Sequence, residues 1–290
     1  MKSICDTYVL SNGVEIPCLG FGTYNPGGGD TCKIIQTAID VGYRYFDTAS
    51  LYETERALGQ AIKQSGIDRT EFFIASKVWI DEMGYAGTKQ AFERTLNRLQ
   101  TDYLDLYLIH WPRQSEDDTD WKERDLDTWR AMEELYSEGK IKSIGLSNFL
   151  PHHVDNILKC GTIKPMANQL ELHPGYLQEA AVAYCREHDI LVQAWSPLGR
   201  SHLLTHPFLQ SLAEKYKKST AQLCLKFLLQ KHIIPLVKAS GMERMKENMD
   251  IFDFEISRED MSVLECMPQT AWSGEHPDFY IPKVHSNLKQ

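Results

Sequence analysis

The chain is 290 residues long, with 42% hydrophobic residues, 24% charged residues and a net charge of −9. This length is enough for one barrel-sized core, and because no linker-like stretch divides the sequence we expect a single domain over residues 1–290. The acidic balance argues against general nucleic-acid binding, and the lack of an apolar run of about 18 residues excludes a membrane-spanning helix. The seven cysteines are scattered and never in CxxC spacing, which indicates reduced thiols in a cytoplasmic protein and argues against structural zinc.

The first feature along the chain is a hairpin signal. Two short β-rich runs flank Asn12-Gly13, a pair that favours a tight β-turn. Eight further β-rich runs follow, at 18–23, 43–47, 72–78, 104–110, 141–147, 166–170, 190–195 and 233–238. Segments with helical periodicity lie between them, at 31–41, 53–65, 87–100, 125–138, 151–160, 177–188 and 219–231. Ser219 and Gln222 open the last segment with a capping-box pattern.

The alternation of strand and helix predicts an α/β fold of the (β/α)8 TIM barrel class rather than an open doubly wound sheet. The hairpin has no place in a ring of eight strands, so we expect it to cap the bottom of the barrel, at the N-terminal ends of the strands. The C-terminal stretch 270–284 is aromatic, contains Pro and Gly, and lacks helical periodicity. Such a stretch is typical of a loop, and we expect it over the barrel mouth.

Polar or aromatic side chains stand at the ends of nearly all the predicted strands. In this class of barrel the chemistry lies at the C-terminal ends of the strands, which share one mouth. In chain order these residues are Asp47, Lys77, His110, Ser147, Asn148, Gln169, Trp195, Ser196 and Lys238. Taken singly, each has an ordinary alternative: Asp47 as a turn residue, Lys77 as a rim lysine, His110 as a hydrogen-bonded core histidine. Their shared placement favours a functional site.

Tyr52, five residues after Asp47, completes a set with a recognisable chemistry. A tyrosine is too weak an acid for ready proton donation near neutral pH unless a cation stabilises its phenolate. Lys77 can supply that cation, Asp47 can compensate the lysine, and His110 can orient a carbonyl oxygen. We therefore expect Tyr52 to protonate a carbonyl substrate, with a pKa that Lys77 and Asp47 lower. Because no side chain donates hydride, a cofactor must supply the two electrons.

Stretches along essentially the whole chain resemble the aldo-keto reductase superfamily. In order, they are GFGTY (20–24), FDTASLYETE (46–55), ASKVW (75–79), DYLDLYLIHWP (102–112), IGLSNF (144–149), ANQLELHP (167–174), AWSPLG (194–199) and VKASGMERMKEN (237–248). The resemblance implies a (β/α)8 barrel that binds NADPH without a Rossmann fold, and neither GFGTYN nor GGGDTC satisfies the GxGxxG loop. The AWSPLG form and the short chain look like the compact microbial branch that includes 2,5-diketo-D-gluconate and methylglyoxal reductases.

The resemblance implies the same catalytic roles as the residue chemistry. Tyr52 would be the general acid, Lys77 and Asp47 its pKa-lowering pair, and His110 the group that orients the substrate. Relatives that reduce a carbon–carbon double bond have a glutamate in place of this histidine. The histidine at position 110 therefore favours reduction of aldehydes and ketones to alcohols.

The resemblance also implies a binding site for the cofactor. Trp195 would stack on the nicotinamide ring, with core packing as its ordinary alternative. Lys238 and Arg244 would meet the 2′-phosphate, with an exposed ion pair between Arg244 and Glu247 as the alternative. Many relatives have Lys-Ser where this chain has Lys238-Ala239-Ser240. NADPH is therefore still favoured over NADH, but we expect a smaller difference between the two affinities. The implied residues are Gly22, Thr23, Ser147, Asn148, Gln169, Trp195, Ser196, Leu198, Lys238, Ser240, Arg244, Glu247 and Asn248.

Aromatic residues near the strand ends are candidates for the substrate pocket. They are Tyr24, Trp79 and Trp111, joined from the C-terminal stretch by Trp272, Phe279 and Tyr280. Packing of a terminal segment is the alternative for the last three. The expected partner is a small-molecule carbonyl substrate, with no nucleic-acid or membrane partner, and the family implies a monomer.

Two other classes of function are alternatives to a reductase. One is a sensor or regulatory protein that binds nicotinamide cofactor on the same barrel with little turnover, although no added interaction segment is evident. Another is a metal-dependent hydrolase, which would need an HxH pair at a strand end. We expect no metal site at His152-His153, because adjacent side chains at a helix start point apart. The run 27–29, three glycines, lacks a following Lys-Ser/Thr and indicates a turn rather than a phosphate loop.

Overall fold

A short hairpin precedes a closed barrel of eight parallel strands in the computed structural model, which describes residues 1, 3–24 and 29–279. The hairpin strands are β1 (Thr7–Val9) and β2 (Glu15–Pro17). The barrel strands are β3 (Gly20–Gly22), β4 (Tyr45–Asp47), β5 (Phe73–Val78), β6 (Leu106–Ile109), β7 (Ile144–Ser147), β8 (Ala167–Glu171), β9 (Leu191–Trp195) and β10 (Ile234–Val237). Strand β10 pairs with β9 and with β3, which closes the ring. The predicted (β/α)8 fold is confirmed.

Helices surround the barrel and connect its strands. They are α1 (Thr31–Val41), α2 (Glu55–Ser65), α3 (Tyr85–Leu99), α4 (Trp121–Ser137), α5 (Pro151–Cys160), α6 (Glu179–Glu187), α7 (Pro207–Lys215), α8 (Thr220–Gln230), α9 (Met242–Met249) and α10 (Arg258–Glu265). The predicted capping box opens α8: Ser219 Oγ accepts from Gln222 N, and Gln222 Oε1 accepts from Ser219 N. Each of the seven helices expected from the sequence is present.

Helices α7, α9 and α10 were not predicted from the sequence. Helices α9 and α10 have eight residues each and bury only Met245 and Asn248 in one and Leu264 in the other. A helix of about two turns is too short for helical periodicity to be distinguished in the sequence. Helix α7 does carry a readable signal, since Leu209, Leu212 and Ala213 are buried at helical spacing after Pro207 at the helix start.

The hairpin lies against the N-terminal end of the barrel. The Tyr8 ring meets the His232 ring at a centroid distance of 6.3 Å, and His232 lies just before β10. Asn12 Nδ2 donates to the carbonyl of Lys142, just before β7, at 2.9 Å. Gly13 takes a φ of 87°, a left-handed conformation that explains glycine in this turn. The expectation that the hairpin caps the barrel bottom is confirmed.

The C-terminal segment lies at the opposite end, over the barrel mouth. Glu171 ends β8, and its carboxylate accepts from Ser273 N at 3.0 Å and from Ser273 Oγ at 2.6 Å. Arg113, which follows β6, pairs with Asp278 at 3.3 Å. The segment therefore crosses the C-terminal ends of several strands, as expected. Tyr280 and the rest of the stretch to 284 lie outside the described residues.

The seven cysteines are free thiols. Cys185 and Cys224 are buried, and burial raises the pKa of the Cys185 thiol to about 11 and that of Cys224 to about 12. These two side chains therefore stay neutral and pack as small apolar groups. Among the helices of the described residues, none combines the length and the apolar character needed to cross a bilayer.

Asp125 is a buried carboxyl group in α4 whose two oxygens lack hydrogen-bond partners among the residues that the structure describes. Burial raises the pKa of Asp125 well above its ordinary value. A carboxyl with a raised folded-state pKa contributes its full stability below the unfolded pKa and loses it as pH rises through the folded pKa. Asp125→Asn removes the ionisation, so we expect a free energy of unfolding about 1 kcal/mol higher than wild type near pH 8.

Urea unfolding at about pH 8 and about pH 4.5 measures this effect. The gain should shrink at the lower pH, which is close to the ordinary pKa of an aspartate, because ionisation of the unfolded carboxyl then opposes folding less. Asp127→Asn is the matched control, because Asp127 is exposed on the same helix and forms a surface ion pair with Arg130. An equal gain at both pH values, or the same gain in the control, would contradict an ionisation penalty at Asp125.

Candidate active site

The four residues expected to be catalytic meet at the barrel mouth. Lys77 Nζ donates to Asp47 Oδ1 at 2.6 Å and lies 3.4 Å from Tyr52 Oη. His110 Nε2 also lies 3.4 Å from Tyr52 Oη. The tyrosine hydroxyl is therefore within reach of one ammonium group and one imidazole. This arrangement can place a proton donor against the oxygen of a bound molecule.

The parallel register of the barrel brings Asp47 and Lys77 together. Asp47 pairs with Ala75 on the neighbouring strand, and Lys77 lies two residues beyond Ala75 on the same side of β5. After β4 the chain turns through a short 3-10 helix, Ser50–Tyr52, which ends where Glu53 adopts a left-handed φ of 58°. The turn brings Tyr52 back over the end of its own strand. Tyr52 therefore lies near the end of β4, although it comes five residues after Asp47, because the chain reverses direction here.

The Lys77–Asp47 pair is buried and fully hydrogen-bonded. Lys77 Nζ also donates to the Thr48 carbonyl at 2.9 Å, and Asp47 Oδ2 accepts from Gln169 Nε2 at 2.8 Å. Burial lowers the pKa of Lys77, while the Asp47 charge and hydrogen bond act in the opposite direction. Because each charge has its partner and further polar contacts, the pair can persist inside the barrel.

The pKa of Tyr52 differs from the expectation. Burial raises the Tyr52 pKa well above its ordinary value, and the Asp47 charge adds to the rise. The expected lowering by Lys77 and Asp47 is therefore wrong for this arrangement, since desolvation of the phenolate outweighs one ammonium at 3.4 Å. Tyr52 is a neutral phenol that holds its proton throughout the neutral pH range.

His110 is a neutral imidazole. Burial lowers the pKa of His110 well below its ordinary value, and the Lys77 charge adds to this effect. Its ring meets the rings of Tyr52 and Trp79 edge to face, at centroid distances of 5.5 and 5.1 Å. Asn148 Nδ2 donates to the His110 carbonyl at 3.0 Å. The ring is held by its neighbours, and a neutral ring can donate one hydrogen bond without carrying charge.

The residues implied for the nicotinamide end form one hydrogen-bonded group. Trp195 Nε1 donates to Asn148 Oδ1 at 2.8 Å, and Asn148 Nδ2 donates to Ser147 Oγ at 3.2 Å. Asn148 adopts a left-handed φ of 63°, a conformation that asparagine tolerates well. Gln169 Nε2 donates to Asp47 and to Gln193 Oε1, the latter at 3.1 Å. The structure thus connects the implied nicotinamide residues to the buried ion pair.

Gly22 and Thr23 lie beside this group at the end of β3. A Cβ added at Gly22 would have no atom nearer than the Val237 carbonyl oxygen at 3.9 Å, so the backbone there faces open space. Thr23 Oγ1 is 2.9 Å from Thr54 Oγ1. Ser196, after β9, takes a left-handed φ of 49° and redirects the chain into the turn that carries Leu198. These loops surround the opening at one side of the barrel mouth.

The residues implied for the adenosine end follow β10. Lys238 and Ser240 are exposed, Arg244 and Glu247 are exposed on α9, and Asn248 is buried. An ion pair on this helix joins Lys246 to Glu243 at 3.6 Å. It does not involve Arg244 or Glu247, which were the expected partners under the alternative interpretation. Burial, and then the Arg200 charge, lower the pKa of Lys238. The charges of Lys238 and Arg200 therefore lie close enough to influence each other.

Three of the six aromatic substrate candidates gather at the mouth. Trp79 and Trp111 are buried in one apolar cluster against which Trp195 packs. The Tyr24 ring lies 4.9 Å from the Tyr52 ring and is 46% exposed. Trp272 instead stacks on Tyr176 at 5.9 Å, so its contact is with the loop after β8. The outer wall of the mouth is aromatic, and its inner end is the hydroxyl of Tyr52.

Some residues of the site were not predicted from the sequence. Gln193 is buried inside β9 and accepts hydrogen bonds from Gln169 and from Tyr45 Oη, the latter at 3.1 Å. A glutamine within the apolar run ILVQAW was the available signal. Arg200 and Glu275 also lie at the mouth, where they form an ion pair at 2.6 Å. No local pattern marks that pair, because 75 residues separate its members.

The orientation of His152 and His153 corrects an expectation. Their rings do not point apart: the centroids are 3.9 Å apart, and each Nε2 lies near Asp278 Oδ1, at 3.1 and 3.0 Å. His153 Nδ1 accepts from Leu150 N at 3.1 Å, so in the neutral ring Nε2 carries the hydrogen. Burial lowers the pKa of His153 to about 3, which keeps the ring neutral. In this tautomer Nε2 faces Asp278 as a donor, and the absence of a metal site remains a prediction.

Comparisons with known proteins agree with this geometry. A glyoxal reductase of Bacillus subtilis is 45% identical over 277 residues, which cover 95% of this chain and 98% of that protein. A 9,11-endoperoxide prostaglandin H2 reductase of Trypanosoma cruzi is 39% identical over 94% of this chain and 95% of its own.

Solved structures give the same result. An aldo/keto reductase from Brucella melitensis is 40% identical with a TM-score of 0.84, over 89% of this chain and 98% of that one. An aldo-keto reductase solved in complex with NADPH is 31% identical with a TM-score of 0.85, over 96% of this chain and 95% of that one. The sequence model of the aldo/keto reductase family matches residues 18–267. The chain therefore belongs to the aldo/keto reductase family, whose members are oxidoreductases that use nicotinamide cofactors.

Proposed function

We propose that the protein reduces aldehydes and ketones to alcohols with NADPH, and that Tyr52 is the general acid. The observation that carries the proposal is the Tyr52 hydroxyl, 3.4 Å from both Lys77 Nζ and His110 Nε2 at the barrel mouth. A positioned phenol between a cation and a neutral imidazole suits protonation of a carbonyl oxygen. The relatives named as glyoxal reductase and as an NADPH complex support the substrate class and the cofactor.

The residues around the mouth fit a nicotinamide dinucleotide. Trp195 is a partly buried indole fixed by Asn148, as a stacking surface for a ring requires. Gly22 leaves its backbone open to a ligand, and Lys238 and Arg244 offer exposed cations for phosphate. A bound dihydronicotinamide supplies the hydride that no side chain can give. The side chains of this protein then have to orient the carbonyl and deliver a proton.

The proton step follows from the contacts of Tyr52. A carbonyl oxygen bound beside Tyr52 Oη and His110 Nε2 would gain negative charge as its carbon is reduced. Tyr52 gives its proton to that oxygen, and Lys77 stabilises the phenolate that remains. The raised pKa of Tyr52 is compatible with this direction, because the oxygen of a forming alkoxide is a much stronger base than a phenolate. In the reverse direction, Tyr52 would have to be ionised first, so alcohol oxidation needs alkaline pH.

Following NADPH consumption at its absorbance band tests the proposed function. We expect turnover with some members of a panel of small aldehydes, dicarbonyls, ketones and keto-sugars. Tight binding of NADPH without turnover on the whole panel would overturn the reductase proposal and favour a sensor of nicotinamide redox state. Lack of binding by any nicotinamide cofactor would overturn both functions.

Arg244 provides a test of the cofactor preference. Arg244→Ala should weaken NADPH binding by about tenfold or more and leave NADH binding within about twofold, because only NADPH carries the 2′-phosphate that the guanidinium would contact. Equilibrium titration followed by NAD(P)H fluorescence measures both constants. Lys246→Ala is the matched control on the same exposed helix. Equal weakening of both nucleotides by Arg244→Ala would show that this arginine does not recognise the 2′-phosphate.

A further inference from the structure

Arg200 is a charged residue at the mouth that the proposed catalytic chemistry does not use. It follows β9 in the segment Gly199–Thr205, where Arg200 and Ser201 both adopt left-handed conformations with φ of 51° and 75°. Its guanidinium carbon lies 5.7 Å from the centroid of the Trp195 indole. The sharp turn therefore returns the side chain towards the surface on which the nicotinamide ring would stack.

Arg200 also faces the opposite end of the proposed cofactor site. Its charge lowers the pKa of Lys238, after burial as the larger cause, so the two cations are close enough to repel each other. Trp195 belongs to the nicotinamide end of the proposed site and Lys238 to the adenosine end. The part of a dinucleotide that must pass between these two ends is the diphosphate, which NADH and NADPH share.

Glu275 is the anion that pairs with Arg200 in the structure. Arg200 Nη2 lies 2.6 Å from Glu275 Oε1, with side chains that are 46% and 14% exposed. Glu275 is part of the C-terminal segment that Ser273 attaches to Glu171 at the end of β8. Its charge is also the smallest contribution to the raised pKa of Tyr52, after burial, Asp47 and Tyr24, so the carboxylate is near the proposed reaction site. One arginine thus joins the C-terminal segment to the loop after β9.

We propose that Arg200 binds the diphosphate of the nicotinamide cofactor and that Glu275 competes for the same guanidinium. Cofactor binding and the Arg200–Glu275 attachment of the C-terminal segment then oppose each other. The fork of Arg200 can pair with phosphate oxygens as readily as with a carboxylate, so the exchange replaces one ion pair by another. This inference rests on the proposed function, because it needs a nicotinamide dinucleotide at the mouth.

The test is a double-mutant cycle on binding. NADPH and NADH are titrated separately into wild type, Arg200→Gln, Glu275→Gln and the double variant, with nucleotide fluorescence as the signal. Arg200→Gln should weaken both nucleotides by a similar factor, about tenfold, because the diphosphate is common to them. Glu275→Gln should tighten both by about two- to fivefold, since an ion pair whose arginine is half exposed to solvent is a weak competitor. In the Arg200→Gln background the effect of Glu275→Gln should disappear.

Lys215→Gln is the matched control, because Lys215 and Asp260 form another ion pair with side chains 58% and 14% exposed. It should change neither constant. The proposal is overturned if Arg200→Gln behaves like the control, if it weakens NADPH alone, or if Glu275→Gln acts equally with and without Arg200. Circular dichroism on each variant establishes that the fold is intact. Failure of wild type to bind either nucleotide would instead overturn the proposed function.

Discussion

Tyr52→Phe is expected to lower kcat for aldehyde reduction by about 10²- to 10⁴-fold, while NADPH binding stays within about twofold. Phenylalanine keeps the ring that packs against Tyr24 and His110 but removes the hydroxyl at 3.4 Å from Lys77 and His110. Without that group no proton is available at the carbonyl oxygen. Steady-state kinetics with the best aldehyde of the panel and equilibrium titration of NADPH measure the two quantities.

Tyr107→Phe is the control for removing a buried tyrosine hydroxyl. Tyr107 is buried in β6, and within the described part of the chain its hydroxyl has no hydrogen-bond partner, so its loss should leave the rate nearly unchanged. A Tyr52→Phe enzyme with more than about a tenth of wild-type kcat would eliminate Tyr52 as the general acid. Equal losses in the two variants would point to disturbed packing rather than to proton transfer.

Lys77→Met should abolish most of the turnover and destabilise the barrel by about 3–5 kcal/mol. The stability loss follows because Asp47 would remain charged and buried after its partner is removed. The rate loss follows because the phenolate of Tyr52 would lose its nearest cation. Asp47→Asn in the same chain removes the uncompensated charge, so the double variant should regain much of the stability and none of the rate. Urea unfolding and steady-state kinetics separate the two effects.

Arg69 and Asp105 provide the matched comparison. They form a largely buried ion pair at 2.8 Å, with side chains 19% and 7% exposed, near the beginning of β6 and away from the mouth. Asp105→Asn should lower stability and preserve kcat. If Asp105→Asn reduced kcat as strongly as Lys77→Met, stability alone would explain the rate loss. If the double variant Asp47→Asn/Lys77→Met recovered activity, Lys77 would have no role in stabilising the phenolate.

Much of the fold was predictable because it repeats. Eight apolar runs of strand length, separated by helical segments with capping residues such as Ser219 and Gln222, left few alternatives to a closed barrel. The hairpin was predictable from Asn12-Gly13 for a local reason, the turn that this pair favours. Helices α9 and α10 were not predictable, since a helix of eight residues is too short for its periodicity to be distinguished.

The residue types at the mouth were also predictable, because polar side chains at the ends of buried strands are costly without a partner or a function. The pKa values of these side chains were not predictable from the sequence. The pKa of Tyr52 depends on how completely the phenol is buried, and burial proved stronger than the neighbouring ammonium. Likewise, the convergence of His152 and His153 on Asp278 depends on a C-terminal segment that is distant in sequence.

The sequence by itself determined the barrel, the cap at its bottom and which chemical groups end its strands, since these follow from periodicity and local propensity. Only the tertiary structure decided the contacts made across the mouth, among them the attachment of Gln169 to Asp47 and of Arg200 to Glu275. Such contacts join residues from different strands and loops, at distances fixed by the closure of the whole ring. Desolvation is set in the same way, because burial of a side chain depends on everything packed around it.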